Sequence, residues 1–209
     1  MKFYDCAPAP SPRRVRMFLA EKGLTVPTVQ IDLRAGEQLR PEFLKLNPWA
    51  TVPVIELDDG TAISEASACC RYIEEAHPQP PLLGTTPKDK GVIAMWDHRC
   101  EFDGFFAVAE ALRNEVKGMA GRALPGQVGY EQIPALAARG RARAKHFFEV
   151  LDARLGESAF VAGPEFSIAD ITAFIAVDFA GWLKLAPAED AHALRRWLDG
   201  MRERPSAKL

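Results

Sequence analysis

Residues 77–88 read His-Pro-Gln-Pro-Pro-Leu-Leu-Gly-Thr-Thr-Pro-Lys, with four prolines and a glycine. Proline lacks the N–H and the backbone freedom that helices and central strands require, so no regular element crosses this stretch. The chain must be organised on either side of it. Before it, strand and helix signals alternate. After it, the strand signals vanish and only helical periodicity remains. The reading is therefore a mixed α/β domain over 1–77, a linker over 78–88 and an all-helical domain over 89–209.

Within the first part, Lys2-Phe3-Tyr4-Asp5 is a short strand. Ser11-Pro12 has the form of an N-cap serine followed by an N1 proline, and opens a helix. Val15, Phe18 and Leu19 form that helix's apolar stripe, and Gly23 occupies the C′ position that closes it. Residues 26–33 read as a second strand and 41–46 as a short helix. Val54-Ile55-Glu56-Leu57 and Thr61-Ala62-Ile63 flank Asp58-Asp59-Gly60, the signature of a hairpin. A further helix is expected from Ser64 to about Ala76. The order βαβ, helix, hairpin, helix gives a small mixed α/β layer.

Beyond the linker, helices are expected at about 89–117, 131–155, 167–182 and 190–203, with 118–130 as the one long loop. The third opens with Ser167-Ile168-Ala169-Asp170, a capping box. Phe102, Phe105, Phe106 and Ala109 recur at helical spacing, a stripe for the core or a subunit interface. His98, His146 and His192 are scattered and read as structural.

Charge and cysteine usage narrow the function classes. A net charge of −2 and a pI near 6.1 leave no basic face for nucleic acid. No apolar run approaches the roughly 20 residues of a membrane span, and Met1-Lys2-Phe3-Tyr4-Asp5 is not a signal peptide. Cys6, Cys69, Cys70 and Cys100 have no metal-ligand spacing and read as small hydrophobes of a reduced, cytoplasmic protein. Cys6 ends the first strand beside the loop at 7–11, where a reactive thiol would matter.

Several motifs, in order, resemble the cytosolic glutathione S-transferases over nearly the full chain. Asn47-Pro48-Trp49-Ala50-Thr51-Val52-Pro53 is similar to the family's N-P-x-x-x-V-P segment, Glu65-Ala66-Ser67-Ala68 to its E-S-x-A start of a helix, and the Ser167 box to one kept in the second domain. The resemblance implies a thioredoxin-like N-terminal domain followed by a helical bundle domain, with glutathione as co-substrate and a hydrophobic electrophile as acceptor. It implies a cis bond before Pro53 that turns the N–H and C=O of Val52 toward glutathione, with Thr51 alongside. Glu65 would pair with the γ-glutamyl ammonium, and the helix-start amides of Ala66 and Ser67 would take its carboxylate. Gln38, with Arg40 as the alternative, matches the position that holds the glycine carboxylate.

The chain departs from the family in two places. Ala66 replaces the usual serine, so Ser67 or the backbone amides stand in for its hydroxyl. Ala9 occupies the position six before Val15 where an activating serine or cysteine is expected. Tyr4 is either packed in the sheet or presented to ligand. The loop thus resembles an atypical branch that relies on the first helix's N-terminus and an ordered water. Ser11, through its hydroxyl or N–H, is the candidate thiolate donor, unless it serves only as a cap. Arg13 and Arg14 add positive potential or form a solvated face. Asn114 or Arg113 would position the water, unless they form a plain helix end. The electrophile pocket is expected between 7–11 and the helix carrying the phenylalanine stripe and Glu110, and the protein is expected to be a homodimer with glutathione and no nucleic acid or membrane as partners. Two alternatives stay open: a non-catalytic glutathione-binding scaffold, and a glutathione-dependent isomerase or thiol reductase, the latter drawing on Cys6.

Overall fold

A computed structural model describes residues 1–209. The chain divides into two compact units, Met1–Pro80 with Leu124–Gly129, and Pro81–Ala123 with Tyr130–Leu209.

The first unit is built on a four-stranded sheet in the order β2-β1-β3-β4, where β1 is Lys2–Asp5, β2 Thr28–Gln30, β3 Val54–Glu56 and β4 Ala62–Ser64. β1 and β2 are parallel, with α1 (Pro10–Glu21) as the crossover; β3 runs antiparallel to both β1 and β4. With α2 (Pro41–Leu46) and α3 (Ala66–Ala76) this is a thioredoxin-like domain. Val15, Phe18 and Leu19 of α1 are buried as expected, together with Phe3, Ile55 and Ile73. Gly23, at φ 66°, closes α1: its N–H donates to Ala20 O while Leu24 N–H reaches back to Leu19 O, the two bonds of a Schellman ending. The hairpin turns on Gly60 at φ 84°, with Gly60 N–H bonded to Leu57 O and Leu57 N–H to Thr61 O, a three-residue loop.

Three expectations for this unit need correction. β2 covers Thr28–Gln30 rather than 26–33, because Pro27 has no N–H and the Asp32 carboxylate already caps the turn at Arg34 and Ala35. Those two N–H groups also hold the Asp32 pKa below the ordinary carboxylate value. α1 starts at Pro10, with Ala9 as the extended N-cap residue, so Ser11 lies inside the first turn and is not the cap. α3 begins at Ala66, because Ser64 pairs with Val54 as the last residue of β4.

The second unit is helical: α4 Pro87–Arg99, α5 Phe106–Glu115, α6 Pro134–Glu157, α7 Ile168–Ala180 and α8 His192–Glu203. α7 is buried along nearly its whole length and forms the centre of the bundle. The Ser167 capping box forms, with Asp170 accepting from Ser167 N–H. The helix expected at 89–117 starts earlier, at Pro87 on a Thr86–Asp89 capping box, and is broken by a π-helical segment, Cys100–Phe105. The wider turn shifts the helical register. The expected phenylalanine stripe is thereby split: Phe105 is buried, while Phe102 and Phe106 are about half exposed. Phe102 stacks on His98 and carries the Arg143 guanidinium 4.9 Å from its centroid. At the loop after α5, Ala123 N–H donates to Tyr130 O and Tyr130 N–H to Gly121 O, tying the ends of that loop together. No helix is long and apolar enough to cross a membrane.

Candidate functional site

The sheet register decides where the candidate residues gather. Tyr4 pairs with Val54 and Val54 with Ser64, while Asp5 pairs with Gln30. The last residues of β1, β2 and β4 and the first residue of β3 therefore lie at one end of the sheet. Four connections leave or enter there: the loop into α1 with Ser11, the segment after β2 with Gln38, the residues before β3 with Val52 and Pro53, and the start of α3 with Glu65, Ala66 and Ser67. Four connections spread over some sixty positions of sequence thus begin or end at one rim.

Each connection has its own support. The loop at 6–9 is fixed by a network that sequence reasoning missed. Asp5 is buried and paired with Arg16 (2.5 Å), Arg16 also donates to Ala7 O (2.8 Å), and the Gln30 amide donates to Asp5 (2.9 Å) while accepting from Ala7 N–H (2.8 Å). Ala9 packs against a buried cluster of Cys6, Ile31, Phe43, Val52 and Val54, so the α1 loop and the Val52 loop share a floor. Asn47, also buried, organises the next loop: its amide donates to Thr51 O (2.9 Å) and Thr51 Oγ1 (3.1 Å) and accepts from Trp49 N–H. The Thr51 hydroxyl is thus engaged within the loop. The Val52-Pro53 bond is cis, as the resemblance implied, and Val52 takes no part in the sheet ladders.

The two helix starts differ in what they offer an anion. In the first turn of α1, Pro10 and Pro12 carry no N–H, and Ala9 N–H is bonded to Cys6 O. Ser11 supplies the remaining N–H. Arg14, buried rather than solvated, donates from Nη2 toward Ser11 Oγ at 3.4 Å. α3 begins with Ala66, Ser67 and Ala68 and has no side-chain cap, so three N–H groups are open at the positive end of its dipole. Its N-cap residue Glu65 is exposed and held at φ 69°, ψ 130°, a conformation costing on the order of 1–3 kcal/mol for a residue with a Cβ. Strain of this kind, on an acid beside an uncapped helix start, makes Glu65 a candidate binding position.

Gln38 is buried, and its Oε1 has no hydrogen-bond partner. Arg40, the alternative, lies on the surface paired with Glu37. Tyr4 donates its hydroxyl to Glu56 at 2.7 Å and packs edge-on to Phe43; it belongs to the sheet. Burial and the Glu56 bond push its pKa up.

Asn114 lies in the helical unit, near the end of α5. It is buried, donates to Glu110 O (2.9 Å) and accepts from Ile133 N–H (2.9 Å). These two bonds anchor the start of α6. Arg113 likewise donates to Arg122 O. All four cysteines are buried. Burial pushes the Cys69 thiol up to about 12 and the Cys100 thiol well above its ordinary value, which suppresses thiolate chemistry there. Arg14 of α1 and Glu65 before α3 both act electrostatically on Cys69, with opposite sign.

Comparison with known proteins agrees with the fold. The glutathione S-transferase N-terminal domain family matches residues 9–76, and the glutathione S-transferase C-terminal domain family matches 96–205. Glutathione S-transferase 2 of Saccharomyces cerevisiae is 40% identical over 210 residues, covering 100% of this chain and 88% of that protein. The maleylacetoacetate isomerase of Pseudomonas aeruginosa is 37% identical over 101 residues, 46% of this chain and 48% of that one. The crystal structure of a glutathione S-transferase domain-containing protein from Marinobacter aquaeolei superposes with a TM-score of 0.92 at 35% identity, covering 99% of this chain and 100% of that one. With both family domains present in order and a 40% identical relative matched over the whole of this chain, this chain belongs to the glutathione S-transferase family.

Proposed function

We propose that the protein is a glutathione transferase that binds glutathione at this end of the sheet and delivers its thiolate to a hydrophobic electrophile. The observation that carries the reading is the gathering, on one rim, of the cis-Pro53 loop, the uncapped start of α3 with strained Glu65, and the lone N–H of Ser11. Val52 N–H and C=O pair with the cysteinyl backbone as an added strand would. The amides of Ala66 and Ser67 take the γ-glutamyl carboxylate, Glu65 its ammonium, and Gln38 the glycine end; Thr51 keeps the loop in shape through Asn47.

A thiol with a pKa of roughly 8.5 is mostly protonated at neutral pH. A hydrogen bond to a charged group contributes about 1.5–3 kcal/mol, so one donor at Ser11 favours the bound thiolate by roughly ten- to a hundredfold. The thiol proton passes to solvent, and the sulfur lone pair forms the new C–S bond. The leaving group departs with its electron pair, or an activated double bond takes up that pair and then a proton. The reading includes a cytoplasmic, detoxifying role and a homodimer, to which Trp49, 71% exposed, offers an apolar contact.

Calorimetric titration with reduced glutathione, followed by an assay with a chlorodinitrobenzene acceptor, tests this. Two substitutions separate the donors of Ser11. Ser11→Ala keeps the N–H and is expected to cost less than tenfold, whereas Ser11→Pro removes the N–H and is expected to cost about tenfold or more in kcat/KM. Wild-type activity in Ser11→Pro would sink the assignment. Binding without turnover across acceptors would favour the scaffold reading, and turnover of a cis-enone dicarboxylate without conjugation would favour the isomerase reading, which the partial match to the Pseudomonas enzyme supports.

A further inference from the structure

Residues 47–52 are held from two sides. From within, buried Asn47 ties the loop through Trp49 and Thr51. Ala50 nevertheless sits at φ 56°, a left-handed conformation that a residue with a Cβ adopts only under constraint. From without, Leu124–Gly129, remote in sequence, belongs to the same compact unit. Gln127 Nε2 donates to the carbonyl of Pro48 at 2.5 Å, across 79 positions of the chain. Gly126, at φ 114°, lies so close that a Cβ built there would stand 3.5 Å from the carbonyl oxygen of Trp49. No backbone N–H reaches the Pro48 carbonyl, so Gln127 supplies the contact that the loop cannot make for itself.

We propose that Gln127 is a positioning residue for glutathione binding: by holding Pro48 it keeps the strained loop, and with it the backbone of Val52, in the ligand-ready arrangement. The inference rests on the reading that Val52 binds glutathione. Gln127 is exposed and its printed contact is with the loop at Pro48, so its effect falls on how much of the free protein has a competent loop. Apparent affinity scales with that fraction. Loss of one neutral hydrogen bond lowers it by about two- to tenfold, whereas bound glutathione orders the loop and leaves the saturated rate unchanged.

The test uses the full chain and the variants Gln127→Ala, Gln127→Glu, which lacks the donor at equal size, and Gln127→Lys, which restores one. Hydrogen exchange of the ligand-free proteins should show faster exchange at Trp49, Ala50, Thr51 and Val52 in the Ala and Glu variants, with α1 unchanged. Calorimetry and steady-state kinetics should show the Kd and KM for glutathione raised about two- to tenfold in both, kcat within about twofold, an unchanged melting temperature, and recovery in Gln127→Lys. Variants that exchange and bind like the wild type would overturn the inference. So would a loss of binding that tracks a fall in the melting temperature of the whole protein. A wild type that does not bind glutathione overturns the functional reading, and the ligand half of this one with it; the exchange comparison still decides the loop-holding half.

Discussion

Replacing Asp170 by alanine removes the carboxylate that holds the centre of the helical unit together. That side chain accepts from Val161 N–H (2.9 Å), Ser167 N–H (3.0 Å), Ser167 Oγ (3.2 Å) and Trp197 Nε1 (3.2 Å), and Asp170 itself is fully buried. The Ser167 hydroxyl can turn to another acceptor, but the three N–H donors cannot. Each donor stranded in a buried setting costs about 1–3 kcal/mol. Water entering the small void recovers part of this, leaving a loss on the order of 4 kcal/mol, a large fraction of the roughly 5–15 kcal/mol that holds a domain folded. Asp170→Asn keeps the shape and one carbonyl oxygen for Val161 and Trp197, but turns an NH2 toward Ser167 N–H, so about half the loss is expected. Urea unfolding followed by far-ultraviolet circular dichroism and by tryptophan fluorescence measures both. A loss below about 1 kcal/mol in Asp170→Ala, or an Asn variant as damaged as the Ala variant, would refute the accounting.

The same residue sets a pH dependence. Burial outweighs the donated bonds and pushes its carboxyl from 3.8 up to about 6, so folding takes up a proton between those values. This group's contribution is full below about pH 4 and is lost as pH rises through 6, on the order of 3 kcal/mol; urea midpoints across that range should show the trend in the wild type and not in Asp170→Asn. Lys22 is wholly buried, bound to Glu74 and to the carbonyls of His77 and Pro80. Lys22→Met is expected to cost about 3–5 kcal/mol in denaturant titration, and adding Glu74→Met should recover part of it. In α6 one substitution should act with opposite signs. A Cβ at Gly140 would meet Ala107 O at 2.6 Å and Ala111 N at 2.7 Å, whereas one at Gly156 meets nothing. Gly140→Ala should cost about 1–3 kcal/mol or more, while Gly156→Ala should gain about 0.5–1 kcal/mol; equal melting temperatures would refute the close approach of α5 and α6.

The chain's punctuation was legible because it acts locally. Gly23, the Asp-Asp-Gly turn and the Ser167 box each determine a few residues of backbone through their own chemistry, and each forms as read. Misreadings arose where two local signals competed or where tertiary contact intervened. Ser11-Pro12 has the pattern of a cap followed by an N1 proline, but Pro10 satisfies the same φ requirement one step earlier and starts the helix there. Ser64 suits a helix start, but the ladder to Val54 claims it first. The periodic phenylalanines assume an unbroken helix, and the π segment removes that premise. The partners of Asn114, Glu110 and Ile133, became visible only with the fold. The pairing of Asp5 with Arg16 and Gln30 carries no sequence signal at all, because its meaning lies in the parallel register of β1 and β2.

The chain leaves the first unit at Pro80, yet six later residues, Leu124–Gly129, return to it. The unit is therefore not a contiguous module. A fragment ending at the linker would keep the sheet and α1 to α3, but would leave the Pro48 carbonyl facing water where Gln127 now meets it. A chimaera joined at the linker would inherit its partner's version of those six residues, and with it a different hold on the loop before Pro53. Exchange of halves among relatives thus carries a hidden second junction. Compatibility at Leu124–Gly129, not at the proline-rich boundary, decides whether a recombined chain keeps its first unit whole.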